Sequence, residues 1–521
     1  MVLSDSNPTF LAVLLVALIC LYPLRSRATS KLPLPPGPRK LPVLGNLLDH
    51  PSTFEWETYM KWSKIHNSDI LHLNMAGKSI VILSSMDAAV DLLQRKSAIY
   101  SDRPRLPMVN ELMGWDFNFS FRKYGESWRA HRRLFHSVFD ANAVKMFRPR
   151  ELAATHELLR RLLHRPDNFM YHFRHMTGEI IMGVTYGIDV LPTDDPYVKL
   201  AQQAVEGLVH ASIPGRFLVD SVPALKYVPE WFPGAGFRQK AKEWNALTCE
   251  MRDRPFVEAK RKIASGNAPE SFTSLALRYS SADLGSETKA DTETLVKETA
   301  GATFAAGSDT VLSSLGTFIL AMVCNAEVQR RAQAEIDEVV IPGNLPDFAD
   351  EPLMPYVSAL VREVLRWQPV APIGIPHYVG VEDEFRGYRI PAGSVVIANT
   401  WAILHDETVY PDPYTFKPER FLLNGKLNPA IPGPDALFGF GRRICPGRHL
   451  ALSSLWLAVT SILATFNITK AVGEDGEVIA PRGEYAAELV LMPLPFKCSI
   501  TPRSKEAETL IRGTVDREYV V

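Results

Sequence analysis

The sequence predicts a mainly helical body with a small mixed β subdomain near its N-terminal side, preceded by an N-terminal transmembrane helix. Three observations lead there: an unbroken apolar run at residues 10 to 24, helical periodicity dominating from residue 86 to residue 464, and strand-like segments that are few and short.

The apolar run reads FLAVLLVALICLYPL. With Pro8 and Thr9 before it, it reaches the roughly 17-residue lower limit for a membrane span. Asp5 precedes it, whereas Arg25, Arg27 and Lys31 follow, and positive charge on the C-terminal side places the body in the cytoplasm. A cleaved signal peptide is the competing reading, but the basic leading segment and an Ala-x-Ala site are both lacking. Residues 1–27 are therefore expected to be a single-pass anchor. Residues 28–50 form a stiff linker around Leu34-Pro35-Pro36-Gly37-Pro38, because proline locks the backbone and stops a helix. Residues 51–521 form the body, with no later linker that would cut it into independent domains.

Within the body, ILHLNM and SIVILSS around Gly77 predict a hairpin over 67 to 84. Helices are expected at 86–95, 124–139, 150–165, 169–186, 196–211, 235–265, 291–325, 326–339, 355–367 and 446–464. Short strands are expected near 374–379, 385–389, 394–398 and 487–492. Polar, turn-rich stretches at 214–235, 266–290 and 341–352 read as surface connections.

Composition narrows the function. A length of 521 residues allows two to four average domains, or one large unit with a small subdomain. The net charge of -1 argues against nucleic acid as a partner. Cys20, Cys249, Cys324, Cys445 and Cys498 are scattered, odd in number and without a CxxC pair. That pattern fits a reducing compartment rather than a disulfide scaffold or a zinc cluster.

Cys445 stands apart from the other four. Residues 438 to 451 read Phe-Gly-Phe-Gly-Arg-Arg-Ile-Cys-Pro-Gly-Arg-His-Leu-Ala. The glycines allow tight turns and close approach to a flat ligand, and Pro446 can start a helix directly after the cysteine. Unpaired N–H groups at a helix start favour thiolate over thiol. Arg443 would add positive charge beside the thiolate or beside an anionic edge of a cofactor. A buried structural cysteine in a glycine-rich loop is the alternative from composition alone.

The same stretch resembles the haem-binding signature of the cytochrome P-450 family, Phe-x-x-Gly-x-Arg-x-Cys-x-Gly, at Phe438, Gly441, Arg443, Cys445 and Gly447. The resemblance implies that Cys445 is the axial ligand of haem iron, with Phe438 and Gly439 in the cofactor loop, and that its thiolate donates electron density favouring O–O cleavage. Further motifs follow in the family's order. Glu363-Val364-Leu365-Arg366 and Pro418-Glu419-Arg420-Phe421 imply a buried network of Glu363, Arg366 and Arg420 that supports the cysteine loop. On its own, a Glu-x-x-Arg pair is usually a solvated surface pair. Ala306-Gly307-Ser308-Asp309-Thr310 resembles the oxygen-activation segment, which implies catalytic proton delivery by Thr310 with Asp309 in support. Ala305, Ala306 and Gly307 would leave room over the porphyrin, and a break in the helix near Thr310 is expected. Trp128-Arg129-Ala130-His131-Arg132 matches the Trp-x-x-x-Arg element, so Trp128 and Arg132, with His377 and Arg443, would hold the haem carboxylates. The plain alternative for His377 is an ordinary loop histidine.

The resemblance implies a cytochrome P-450 fold and a haem-thiolate monooxygenase. The cofactor would be haem b, and NADPH and flavins would act through a partner reductase without binding this chain. The enzyme would insert one oxygen atom of O2 into a small lipophilic substrate, by hydroxylation or epoxidation, in secondary metabolism. The expected partners are NADPH–cytochrome P-450 reductase, cytochrome b5 as a second candidate donor, and the endoplasmic reticulum membrane. Arg129, Arg133, Arg442 and Arg448 are candidates for a basic face towards the reductase, or plain solvated charges. The overall pattern is similar to fungal microsomal members. The implied substrate pocket draws on Met113, Phe117, Phe119, Leu208, Phe304, Val370, Ile373 and Tyr485, an apolar lining whose members could equally be core. Two alternatives are a haem-thiolate isomerase or dehydratase working without reductase, and a non-catalytic membrane haem-binding protein.

Overall fold

The computed structural model describes residues 32–213, 215–279 and 288–517. The expected anchor, 1–27, and the first residues of the linker lie outside the described residues. Among the described residues, one helical stretch is long and apolar enough to cross a membrane, Lys289–Cys324, and 72% of its most apolar window is buried in the protein. That stretch is a core helix pair, since a central helix of a globular body passes the same length test.

The chain divides into two compact units. The first comprises residues up to Pro104, Pro376–Ile403 and Phe440–Arg442. In it, helix α1 (Glu55–Ile65) buries Trp56 and Tyr59. The expected hairpin forms as β1 (Ile70–Met75) and β2 (Lys78–Leu83), antiparallel, with Met75 opposite Lys78. Its two turn residues, Ala76 and Gly77, both have positive φ, 48° and 91°. This is the backbone that a two-residue hairpin turn requires. Strands β3 (His377–Val379) and β4 (Ser394–Ala398) complete a four-stranded sheet in the order β1-β2-β4-β3. β2 and β4 run parallel, with Ile80 facing Val395. The crossover between them includes all of residues 105–375. Leu71, Leu73 and Ile82 have no exposed surface and pack with Tyr59.

The second unit comprises Arg105–Ile375, Leu404–Gly439 and Arg443 onward, and it is dominated by helices. They include α2 (Glu126–Phe139), α3 (Phe169–Tyr186), α4 (Pro196–Ala211), α5 (Lys289–Gly307), α6 (Thr310–Cys324), α7 (Pro355–Trp367) and α8 (Arg448–Thr465). Local chemistry sets several ends. Asp195 caps α4 by accepting from the N–H groups of Tyr197 and Val198, and Pro196 occupies the first turn. Thr288 and Asp291 close a reciprocal capping box at the start of α5. Helix α5 packs against α2, α3 and Gly236–Ala264; α6 packs against α3, α7 and α8. Their shared core is apolar and continuous.

Several expectations need correction. The stretch 266–290 is not all surface: Phe272–Ala276 is a short helix with Phe272, Thr273 and Ala276 fully buried. The strand expected at 487–492 is instead a turn, with Tyr485–Ala486 paired to Met492–Pro493 on either side. Residues 446–447 precede α8, which begins at Arg448. A three-stranded sheet of Val478–Ile479, Phe466–Val472 and Cys498–Pro502 was not expected.

Candidate active site

The cysteine loop begins with a 3-10 turn, Asp435–Phe438, and the Cys445 N–H donates to the Phe438 carbonyl at 2.6 Å. Gly441 has φ 54°, and a Cβ there would lie 2.3 Å from the Leu93 carbonyl oxygen. Only glycine fits both the turn and the approach. The Cys445 sulfur faces the N–H groups of Gly447 and Arg448, where α8 begins, and the guanidinium groups of Arg132 and Arg448. Burial pushes the thiol pKa up, against the pull of those N–H groups and cations. A metal cation bonded to sulfur would tip this balance fully to thiolate. Cys445 as a residue keeps some accessible surface.

Arg443 is engaged by backbone carbonyls. Its guanidinium donates to the carbonyls of Phe119 at 3.0 Å and Arg122 at 2.7 Å, and lies 4.7 Å from the centre of the Trp128 ring. Trp128 and Arg132 share one face of α2. Among the described residues, neither the Trp128 indole N–H nor the Arg132 guanidinium has a hydrogen-bond acceptor. Arg132 is half-buried, and its electrostatic partner is Cys445. His377 belongs to the first unit, where Nδ1 lies 2.8 Å from the Tyr100 carbonyl oxygen. That distance makes Nδ1 the donor and leaves Nε2 as the remaining ring nitrogen.

Glu363 and Arg366, both without exposed surface, form a two-point pair at 2.7 and 2.9 Å. The same carboxylate accepts from Arg420 Nε at 3.1 Å and from the Lys417 N–H at 2.8 Å. Arg366 also donates to the Leu404 and Pro413 carbonyls, and Arg420 to those of Pro411, Asp412 and Thr415. Two arginines and one glutamate thus hold the segment 404–420 through its backbone.

The long apolar helix breaks where α5 ends at Gly307 and α6 begins at Thr310. Thr177 donates its hydroxyl to the Ser308 carbonyl at 3.0 Å, and Thr310 donates back to Ala306 at 3.1 Å. Asp309 pairs with Arg174 at 2.5 Å. Burial raises the Asp309 pKa, and Arg174 opposes that rise. Arg174 went unread in the sequence, where its signal was a lone cation amid apolar residues of 169–186. Ala306 and Thr310, four residues apart, are exposed although the residues around them are mostly buried. The small residues have separate roles: Ala305 is buried, and a Cβ on Gly307 would lie 2.5 Å from Ile181 Cδ1, so Gly307 admits helix α3 rather than a ligand.

The candidate pocket residues divide similarly. Met113, Phe117 and Phe304 present almost no surface and are core in this structure; Phe304 meets Tyr186 edge-on and Phe117 stacks on Trp115. Phe119, Leu208, Val370 and Tyr485 retain slivers of surface, Ile373 more. The Tyr485 hydroxyl lies 3.2 Å from that of Thr317.

A haem fits these residues. A sulfur facing backbone N–H groups and two guanidinium groups would suit a bond to iron as thiolate, and acceptor-less Trp128 and Arg132 would meet carboxylates. No group of three or more His, Cys, Asp or Glu suited to a bare metal ion occurs among the described residues.

Comparison with known proteins agrees. The family model described as Cytochrome P450 matches residues 35–500. The chain is 46% identical to Cytochrome P450 monooxygenase 98 of Postia placenta, over 97% of each chain. It is also 46% identical to Cytochrome P450 monooxygenase ple1 of Rhodocybe pseudopiperita, over 94% of each. Tryptamine 4-monooxygenase of Psilocybe cyanescens is 41% identical, over 96% of this chain and all of the relative. A sulfur set at a helix start beside two arginines thus occurs in a chain whose whole length matches fungal monooxygenases: it belongs to the cytochrome P450 family, haem-thiolate enzymes that use O2 and an external reductase.

Proposed function

We propose that Cys445 is the axial ligand of a haem b whose carboxylates are held by Trp128, Arg132, His377 and Arg443. The observation that carries this reading is the setting of the Cys445 sulfur, which faces two backbone N–H groups and the cations of Arg132 and Arg448. When bound, the haem would supply the activation of O2 and the transfer of one oxygen atom to the substrate. The protein's own contribution is to charge, orientation and protons. Arg132 and Arg448 stabilise negative charge on sulfur. Thr310, at the first turn of α6, offers a hydroxyl on the exposed side of the helix break for proton delivery, and the neighbouring Asp309 supports that role. Arg174 sets how readily Asp309 gives its proton up. Glu363, Arg366 and Arg420 hold the backbone of 404–420 and so support the cysteine loop from outside.

Electrons come from NADPH through a flavin-containing reductase, with cytochrome b5 as a second donor. Residues 1–27 anchor the chain in the endoplasmic reticulum membrane with the catalytic body in the cytoplasm. The substrate is a small lipophilic molecule, in keeping with the apolar Phe119, Leu208, Val370 and Ile373. An indole amine is one class to test, because a relative 41% identical bears the name tryptamine 4-monooxygenase.

The test is reconstitution with reductase and NADPH against a lipophilic panel that includes indole amines, followed by mass spectrometry. A thiolate-type Soret band of the reduced carbon-monoxide complex, lost in Cys445→Ala, is expected. NADPH use without oxygenated product across a broad panel would count against the monooxygenase reading; turnover without reductase would favour an isomerase.

A further inference from the structure

We propose that Glu298 is a positioning residue that braces the haem-carboxylate anchors from the oxygen-side helix, through Arg122 and His131. The proposal rests on the haem reading above and goes beyond it. Glu298 lies on α5, about two turns before Ala306. One of its oxygens, Oε2, accepts from Arg122 Nη2 at 2.9 Å and from His131 Nε2 at 2.9 Å. Burial opposes ionisation of Glu298, but His131 and Arg122 outweigh it and hold the carboxyl below the usual carboxylate range. His131, on α2, is almost fully buried, and its other nitrogen lies 2.7 Å from the Ser127 carbonyl oxygen. The Glu298 carboxylate and the Ser127 carbonyl thus bracket the ring, and Arg122 Nη1 lies 3.5 and 3.4 Å from its two nitrogens.

Arg122 carries the brace onward. Its guanidinium donates to the Asp116 carbonyl at 2.9 and 3.1 Å and to the Ser127 hydroxyl, tying both ends of the segment 116–127. The backbone carbonyl of Arg122 accepts from Arg443 at 2.7 Å, and that of Phe119 from Arg443 at 3.0 Å. Arg443 in turn lies over Trp128. A continuous set of contacts thus leads from α5 through Glu298, Arg122 and the 116–127 backbone to Arg443 and Trp128. Neutralising Glu298 removes the anion that Arg122 and His131 share and leaves the half-buried Arg122 guanidinium with only the neutral acceptors of Asp116 and Ser127, which loosens its hold on the segment 116–127.

The experiment uses the full-length haem-loaded protein and compares Glu298→Gln and Arg122→Gln with the wild type. Glu293→Gln, on the same helix as Glu298, removes an exposed ion pair to Lys260 of Gly236–Ala264 and is the control. The readouts are the rate of haem transfer to an apoglobin acceptor and the haem reduction potential. Glu298→Gln is expected to speed haem transfer about tenfold, the factor for one lost hydrogen bond to a charged group, and to shift the potential. Arg122→Gln should do the same, the double variant should be no worse than either, and Glu293→Gln should match the wild type. A Glu298→Gln protein that melts lower while keeping wild-type haem transfer and potential would overturn the proposal and leave Glu298 a packing residue. So would additive effects of the two substitutions. If Glu298→Gln does not fold, Arg122→Gln alone decides by the same two readouts. A wild-type protein that takes up no haem, or gives no thiolate-type Soret band, would instead sink the cofactor reading on which the brace depends.

Discussion

Glu151 lies in Arg148–His164, has no exposed surface, and accepts hydrogen bonds from Ser453 at 3.0 Å and Ser454 at 2.6 Å, both on α8. Burial raises its pKa from 4.5 to about 7, while the two serine hydroxyls and Arg148 pull the other way. An unfolded chain releases this proton near 4.5; the folded chain keeps it until about 7. The folded state therefore binds more protons across that window, and stability falls as pH rises through it. Below 4.5 the contribution is fully present, and above about 7 it is gone. The window spans roughly 2.5 pH units at about 1.4 kcal/mol each, so the loss reaches about 3 kcal/mol. Glu151→Gln stays neutral at every pH, and its amide oxygen can still accept from Ser454. Denaturant midpoints of the wild type and Glu151→Gln, measured from pH 4 to pH 8.5, should converge at the acid end. They should separate in favour of the variant by pH 8. Parallel profiles would refute the reasoning, because they would mean that Glu151 carries the same charge folded and unfolded.

Three further outcomes follow from the site. Glu363→Ala leaves Arg366 and Arg420 buried without their anion and should cost about 3–5 kcal/mol in denaturant unfolding, with a smaller loss for Glu363→Gln. Gly307→Ala places a methyl against Ile181 and should cost about 1–3 kcal/mol; adding Ile181→Val should recover part of it, as read from melting temperatures. Asp309→Asn should lower turnover about a hundredfold, as expected for loss of a positioned proton donor, while spectral titration with substrate stays as in the wild type; turnover within twofold of wild type would remove Asp309 from proton delivery.

Helices were most legible where the apolar periodicity ran unbroken, with or without a side-chain cap. The stretches 169–186, 196–211, 326–339 and 355–367 form over the residues expected. Helix α1 escaped notice because it starts from Phe54, in a left-handed conformation and without a side-chain cap, and buries only two large residues. Phe272–Ala276 hid inside a polar stretch because its signal is one short turn. The C-terminal sheet joins strands separated by turns of ordinary composition, and its pairing is not a local property. In the site, the order of motifs drew attention to Cys445, Glu363 and Thr310. It left open which cations face the cysteine: backbone carbonyls engage Arg443, and the sulfur faces Arg132 and Arg448. The Arg174–Asp309 pair joins residues 135 apart, and the Glu298–Arg122 pair residues 176 apart; no spacing rule reaches that far.

The parallel pairing of β2 with β4 has a temporal side. β2 ends at Leu83 and its neighbour begins at Ser394. At 5–20 residues per second, a ribosome takes on the order of 15 to 60 seconds to make the chain between them. Throughout that interval one edge of β2 presents unpaired N–H and C=O groups to whatever strand comes near. The N-terminal unit is thus the first to emerge and among the last to finish. A nascent chain halted before residue 394 is left with an open edge, ready to pair with another copy of itself.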